Sequence, residues 1–317
     1  MGFQNYIVKR ILQLVPTIIG VTLVVFVLVH SAPGDPVTMF YGLQPGVHFR
    51  PEEFERIRHQ LGLDRPLYIQ YTDWLWKLMH GDLGYSYILA LPVKELVLKA
   101  AMNTVLLSAT SLAISISIGI VTGVISSVRQ YSLADNIATT IILFLWSMPY
   151  FWLALLLIYT FSVGLGWLPT SGIGATPLEM LRHLILPASV LGTGGTALIF
   201  RLTRSSMLEI LRQDYIVAAR AKGLKERVVV YRHALKNALL PVTTVIGLYL
   251  GYVISGSAII ETIFAWPGMG RLMVDSSFSR DYPVIIGISL VSSVMVVLSV
   301  LITDLTYTLL DPRIRFE

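Results

Sequence analysis

Catalytic residue patterns are the first feature to test in this chain of 317 residues. A phosphate-binding loop needs Gly-x-x-x-x-Gly-Lys-Ser/Thr, and the nearest glycine-rich stretch, Gly192-Thr193-Gly194-Gly195, lies in an apolar segment without a nearby lysine. We interpret these glycines as positions of close helix packing. His-Glu-x-x-His and Gly-x-Ser-x-Gly are missing, the six histidines do not cluster at ligand spacing, and no cysteine occurs. The sequence therefore predicts no catalytic centre, no metal site and no cofactor bound by this chain.

Two acidic residues, Glu261 and Asp304, stand at the ends of apolar stretches. Ionisable groups inside a membrane are functional candidates, so a proton-relay role has to be considered. Because both lie at segment ends rather than in the middle, structural pairing or anchoring at the interface is favoured. The tryptophans, among them Trp167 and Trp266 in loops, are interpreted as residues of the membrane–water interface.

The elements that position these residues are predicted to be membrane-spanning helices. Apolar residues make up 55% of the chain, charged residues only 14%, and the mean hydropathy is +0.70, whereas a soluble domain carries about 25% charged residues. A spanning helix needs about 20 mainly apolar residues. Six stretches qualify: Ile11 to Val29 and the intervals 99–129, 135–162, 182–201, 236–261 and 281–304. The predicted fold is an all-α polytopic membrane protein with six transmembrane helices.

The charge pattern sets the expected orientation. The net charge of +5 does not indicate a nucleic-acid partner, because the basic residues lie between apolar segments rather than on one continuous soluble face. The loop from Arg201 to Lys236 holds nine lysines and arginines against three acids. Loops rich in Lys and Arg stay in the cytoplasm. Both termini are therefore predicted to be cytoplasmic.

Three domains are expected along the chain. Lys9 and Arg10 before an apolar run also fit a signal peptide, but the run exceeds an h-region and no Ala-x-Ala follows, so residues 1–30 are interpreted as a retained transmembrane helix. Residues 31–101, with a charged helical stretch from Pro51 to Leu61, form a predicted extracytoplasmic subdomain. Residues 102–317 form the core with five transmembrane helices.

The cytoplasmic loop at about 205–240 is expected to form a protruding knob. Asp214 is a plausible N-cap for a helix that stops at Gly223, and Lys225 to Leu240 predicts a second helix leading into Pro241. Such a knob could be a loop held to anionic lipid by its basic residues. Its small residues would equally permit close approach of another protein, so residue types alone leave both alternatives open.

The loop also resembles a known family signature. Asp214-Tyr215-Ile216-Val217-Ala218-Ala219-Arg220-Ala221-Lys222-Gly223-Leu224, followed by His233 to Pro241, resembles the Glu-Ala-Ala loop of permease subunits of bacterial ATP-binding-cassette importers. Val217 replaces the glutamate of the general pattern, and the distance from Gly223 to Pro241 is longer than in sugar permeases; both departures are similar to the dipeptide/oligopeptide/nickel subfamily. The resemblance implies docking into an ATPase subunit through Asp214, Tyr215, Ala218, Ala219, Arg220, Ala221, Lys222, Gly223 and Leu224.

Other segments extend the resemblance over nearly the whole chain. They share their order and spacing with that subfamily, and they are Pro33 to Pro36, Leu61 to Pro66, Gly81 to Gly84, Ser147 to Pro149, Gly166 to Pro169, Arg201 to Met207, Ile260 to Gly268, Arg280 to Val284 and Asp311 to Arg315. The resemblance implies a type I importer permease fold in the inner membrane, surrounded by lipid. It also implies a second homologous permease subunit, two ATPase subunits that carry ATP and Mg²⁺, and an extracytoplasmic substrate-binding protein.

Three classes of function remain to be compared at this stage: an ATP-driven importer, a secondary transporter and an intramembrane enzyme. Import of di- or oligopeptides is the leading expectation, and nickel or metal-chelate import by the same kind of complex is the alternative within the class. A secondary transporter would carry its own coupling-ion site, and the absence of carboxylates in the middle of the spans argues against it. An intramembrane enzyme lacks a candidate nucleophile and base.

Overall fold

The chain folds into α-helices that pack around one long central helix. The computed structural model describes residues 12, 16–27, 31, 55–56, 59, 62, 64–254 and 258–310. The helices are α1 (Pro16–Val27), α2 (Leu67–Met79), α3 (Val93–Val128), α4 (Leu133–Ser147), α5 (Tyr150–Leu157), α6 (Pro177–Ile210), α7 (Asp214–Ala221), α8 (Leu235–Ile254), α9 (Ala258–Ile263), α10 (Met269–Ser279) and α11 (Tyr282–Leu310). The expectation of an all-helical chain is confirmed for the described residues, whose single β-bridge joins Tyr85 and Pro92.

Three of these helices are long and apolar enough to cross a membrane. They are α3, α6 and the part of α11 from Tyr282 to Thr303, and the pair α4–α5 adds a fourth if it is counted as one span. The first and fifth expected spans are only partly within the described residues, where they contain α1 and α8. The count of six spans therefore stays a prediction.

The third expected span, 135–162, is not one straight helix. It consists of α4 and of α5 with its π-helical continuation Ile158–Gly164, and the two parts are bent by 108°. The break lies at Met148 and Pro149: Met148 is extended, with φ −77° and ψ 137°, and Pro149 forms the N-cap of α5. A residue before proline is disfavoured in helical conformation, and the proline lacks the N–H that a continuing helix needs. Hydropathy alone could not reveal this bend.

Helix α6 is the centre of the bundle. A capping box starts it, because Thr176 accepts from the N–H of Glu179 and the Glu179 carboxylate accepts from the N–H of Thr176. In its most apolar window 67% of residues are buried, against 17% for α11, so α11 lies at the periphery. The expected glycine packing is confirmed: a Cβ on Gly195 would lie 2.8 Å from the Ser115 hydroxyl of α3, and one on Gly192 would lie 3.2 Å from the Ser111 carbonyl. The backbones of α3 and α6 approach closely here.

The segment that follows α9 is packed against one end of α3. Trp266, expected at the membrane interface, is wholly buried, and its Nε1 donates to the carbonyl of Asn103 at 3.0 Å. That expectation was wrong, because an indole N–H with a buried acceptor can enter the protein core. Trp167, by contrast, is exposed.

Glu261 makes contacts of the kind that the structural interpretation expects, and its role stays a prediction. Its buried carboxylate accepts from the Thr104 hydroxyl at 2.9 Å and from the backbone N–H of Arg271 at 3.0 Å. The N–H of Arg271 belongs to the first turn of α10 and has no acceptor within that helix. Glu261 supplies the acceptor, because the N-cap residue, Gly268, has no side chain that could do so. The side chain of Asp304 lies outside the described residues.

Part of the expected outer subdomain is described. In it, α2 places Tyr71 and Trp74 against Phe26 of α1, with ring centroids 5.3 and 6.0 Å from the Phe26 ring. The loop before α3 is held by Asp281, which accepts from the Ser86 hydroxyl and from the N–H of Tyr87. The expected helix from Pro51 to Leu61 lies mostly outside the described residues, and the subdomain as a unit stays a prediction.

Candidate functional site

The expected knob is present as a helix, a glycine corner and a second helix. After α6 ends, α7 starts at Asp214, and its N-cap is Gln213 rather than Asp214. Asp214 instead occupies the first helical turn, where its negative charge interacts favourably with the helix dipole. The second helix begins at Glu226 and is π-helical over Val229–Ala234. It then continues as α8 through Pro241 instead of ending there.

One face of α7 packs against the rest of the protein, and we call this contact, made by Ile216 and Ala219, the seat of α7. Ile216 and Ala219, three residues apart, are buried in a cluster with Val124 of α3, Met207 of α6 and Val229. That spacing places both side chains on one side of the helix. The hydroxyl of Tyr215 accepts from Nδ2 of Asn237 at 2.9 Å, which adds a polar tie to α8. Helix α7 is therefore packed against one end of α3, α6 and α8.

The opposite face of α7 is exposed and mostly apolar. It carries Val217, Ala218, Ala221 and, beyond the helix end, Leu224. Val217 and Ala221, four residues apart, lie on the same side of the helix, and Leu224 follows after the corner at Gly223. We refer to these three exposed residues as the apolar stripe. Sequence reasoning had omitted Val217, although its spacing from Ala221 would have identified it. Of the nine residues expected to contact a partner, Ala219 faces inward, and the other eight are exposed: Asp214, Tyr215, Ala218, Arg220, Ala221, Lys222, Gly223 and Leu224.

The corner after α7 depends on Gly223 and one ion pair. Gly223 has φ +77°, the left-handed region that glycine adopts readily, and its N–H donates to the carbonyl of Arg220 at 2.9 Å. The guanidinium of Arg220 donates to both carboxylate oxygens of Glu226, at 2.7 and 3.1 Å, across this corner. The hydrogen bond from Arg220 lowers the pKa of the Glu226 carboxyl group, which favours the ionised form that bridges the corner.

Substitution of Gly223 tests how much the stability of the protein depends on this corner. An added Cβ would meet nothing within 4 Å, so the cost is conformational and amounts to about 1 to 2 kcal/mol for an ordinary L residue. We expect Gly223→Ala to lower the melting temperature of the purified protein and Gly223→Asn to lower it less, because asparagine tolerates the left-handed region. Equal melting temperatures for both variants and the wild type would contradict this role of Gly223.

No group of three or more His, Cys, Asp or Glu side chains that could hold a metal ion forms within the described part of the chain. The exposed face of α7, with its apolar side chains, is the candidate site that the described residues define best.

Comparison with known proteins assigns the family. Residues 115–316 match the family described as "Binding-protein-dependent transport system inner membrane component", and residues 3–106 match the corresponding N-terminal family. The oligopeptide transport system permease protein AppB of Bacillus subtilis is 43% identical, with 98% of this chain and 99% of AppB covered. The dipeptide transport system permease protein DppB of Escherichia coli K12 is 40% identical, with 99% of each chain covered.

Two further relatives extend the comparison. The glutathione transport system permease protein GsiC of Escherichia coli O6:H1 is 40% identical, with 99% of each chain covered. Among solved structures, an inward-facing MetNI methionine ABC transporter shares the fold with a TM-score of 0.55 at 20% identity, over 68% of this chain and 96% of that one. The chain belongs to the family of inner membrane components of binding-protein-dependent transport systems.

Proposed function

We propose that this chain is the permease subunit of an ATP-driven importer that moves di- or oligopeptides across the cytoplasmic membrane. The observation that carries the proposal is identity of 40–43% over almost the full length to permeases named for oligopeptide and dipeptide transport. A relative of equal similarity is named for glutathione, itself a small peptide. These names favour peptides over nickel, the alternative that the sequence had left open.

The proposed architecture is a six-span half-transporter with both termini in the cytoplasm and residues 31–101 outside. The supporting observations are the basic loop from Arg201 to Lys236 and the family match. A second permease subunit of similar fold, two ATPase subunits and an extracytoplasmic binding protein would complete the complex. The chain itself would neither bind nor hydrolyse ATP, in line with a sequence that has no Gly-x-x-x-x-Gly-Lys-Ser/Thr loop.

The exposed face of α7 is the proposed contact with an ATPase subunit. Three features support it: an apolar stripe of Val217, Ala221 and Leu224 exposed on a basic loop, a buried seat that keeps the helix in place, and a corner bridged by Arg220 and Glu226. A helix packed in this way can act as a lever, because a push on its exposed face reaches α3, α6 and α8 through the cluster around Ile216.

Transport by the reconstituted complex tests the proposed function. The chain is expressed with its permease partner, ATPases and binding protein, placed in proteoliposomes, and offered labelled di- and oligopeptides or Ni²⁺ with and without ATP. We expect uptake of peptide that requires ATP and the binding protein, and no ATP-dependent Ni²⁺ uptake. ATP-dependent accumulation of Ni²⁺ without peptide uptake would overturn the proposal.

A further inference from the structure

An ion pair between α4 and α6, largely buried, lies close to the loop that carries α7. The guanidinium of Arg204 in α6 donates to both carboxylate oxygens of Asp135 in α4, from Nε at 2.9 Å and from Nη2 at 2.8 Å. The Asp135 side chain is only 3% exposed and that of Arg204 only 26%. The pair bridging the corner of the α7 loop, Arg220 with Glu226, is exposed on both sides. The two pairs therefore lie in different environments.

Asp135 also holds the turn between α3 and α4. Its carboxylate accepts from the N–H of Tyr131 at 2.9 Å, and its own N–H donates to the Ser132 hydroxyl that caps α4. Tyr131 has φ +63° and an exposed ring. A non-glycine residue in this region costs free energy and persists where its surroundings impose it. The single carboxylate of Asp135 thus fixes both the turn and the position of α4 relative to α6.

Arg204 lies directly beside the seat of α7. Met207, three residues further along α6, is fully buried in the cluster that holds Ile216 and Ala219 of α7. Residues three apart are neighbours on a helix surface. The last turns of α6 therefore carry the seat of α7 and the ion pair to α4 next to each other.

Apolar packing alone would not fix the position of α4 on α6. The two helices also share an apolar cluster, formed by Ala138 and Ile142 of α4 with Ala197 and Phe200 of α6. Attraction between apolar surfaces does not depend on direction. A bidentate arginine–carboxylate pair, by contrast, fixes both the distance and the relative orientation of the two helices that carry it. A buried ion pair adds little net stability over apolar residues of similar volume. Its geometric effect is therefore the better account of its presence here.

We propose that Asp135 and Arg204 are positioning residues that make α4 follow α7, so that movement imposed on α7 by the ATPase reaches the bent pair α4–α5. This inference rests on the proposed function. In its absence the apolar contacts would let α6 and α7 move while α4 lagged behind. ATP would then be hydrolysed with less transport.

A neutral double variant separates this role from a contribution to folding. Arg204→Met alone would leave the Asp135 charge buried and unpaired, which is strongly destabilising. Asp135→Asn combined with Arg204→Met removes both charges, and the asparagine oxygen can still accept from the N–H of Tyr131. We expect this double variant to assemble with its ATPases and to melt near the wild-type temperature. We also expect it to hydrolyse about 2- to 30-fold more ATP per peptide imported, the range for residues that carry coupling between sites.

Arg204→Lys provides a graded comparison, because it keeps the charge but loses the bidentate geometry. Its ratio of ATP hydrolysed to peptide imported should lie between the wild-type ratio and that of the double variant. A wild-type ratio in the double variant would overturn the proposal. Loss of assembly in both Arg204→Lys and the double variant would also overturn it, since the pair would then be a folding element. Absence of peptide uptake by the wild-type complex would instead contradict the proposed function.

Spin labels test the positioning directly. The chain has no native cysteine, so Tyr131→Cys and Gln213→Cys place one label on the α3–α4 turn and one at the start of α7, both at exposed positions. In the otherwise unchanged complex we expect the distance between the labels to stay constant when ATP binds. In the double-variant background the same distance should change with ATP, and a constant distance there would overturn the proposal.

Discussion

The substitution Ala218→Asp is expected to release the ATPase subunits from the complex and to abolish peptide uptake. Ala218 is exposed in the middle of α7, on the face proposed to contact an ATPase subunit. A carboxylate buried there without a partner costs about 2 to 3 kcal/mol, which weakens binding roughly 30- to 150-fold. The measurement is the amount of ATPase that copurifies with the membrane subunits, together with peptide uptake by proteoliposomes.

Two control variants isolate the effect of position. Gln213→Asp adds the same charge at the N-cap of α7, where aspartate is a preferred residue, and it should leave both readouts unchanged. Ala218→Asn carries a similar loss of helix propensity without the charge and should have a smaller effect than Ala218→Asp. Ala219→Asp is unsuitable, because Ala219 is buried in the seat of α7.

Ala218→Asp also distinguishes docking to an ATPase subunit from attachment of the loop to lipid. If the loop were held only by anionic lipid, one added negative charge would change membrane attraction by only about 1 kcal/mol, and Gln213→Asp would act like Ala218→Asp. Normal ATPase retention and normal uptake in Ala218→Asp would rule out docking through this face. The exposed stripe of Val217, Ala221 and Leu224 would then need another explanation.

The substitution Gly268→Ala is expected to destabilise the whole permease. A Cβ on Gly268 would lie 2.5 Å from the Glu261 carboxylate, which cannot retreat without losing its bonds to Thr104 and Arg271. Thr104 in turn accepts from the N–H of Met269 at 2.8 Å. Overpacking costs about 1 to 3 kcal/mol, and an unsatisfied buried charged group adds about as much again. The expected result is a large fall in the melting temperature of the purified complex.

A double variant and a control substitution at another glycine complete this experiment. Glu261→Ala removes the side chain that the new methyl group would strike, so Gly268→Ala with Glu261→Ala should cost less than the sum of the single variants. Gly20→Ala is the matched control, because Gly20 lies in α1 and a Cβ there would meet nothing within 4 Å. A melting curve of Gly268→Ala that coincides with that of Gly20→Ala would contradict the proposed close contact.

The class of protein could be predicted from the sequence because its causes are local. A run of apolar residues prefers a helix in hydrocarbon whatever its neighbours are, and the end of α7 was anticipated from Gly223, although the N-cap is Gln213 and not the predicted Asp214. The helical fold, the glycine packing of α6 and the family were confirmed. The domain boundaries at residues 30 and 101 stay predictions.

Only the tertiary structure decided which side of each element is buried and which distant groups meet. The sequence could not show that Ala219 faces inward while Ala218 faces outward, that Trp266 enters the core, or that α4 and α5 are bent by 108°. Nor could it pair Asp135 with Arg204, or Glu261 with Thr104, which stand 69 and 157 positions apart. Hydropathy and propensity are properties of short windows, whereas a hydrogen bond or buried contact exists only after the whole chain has brought two windows together.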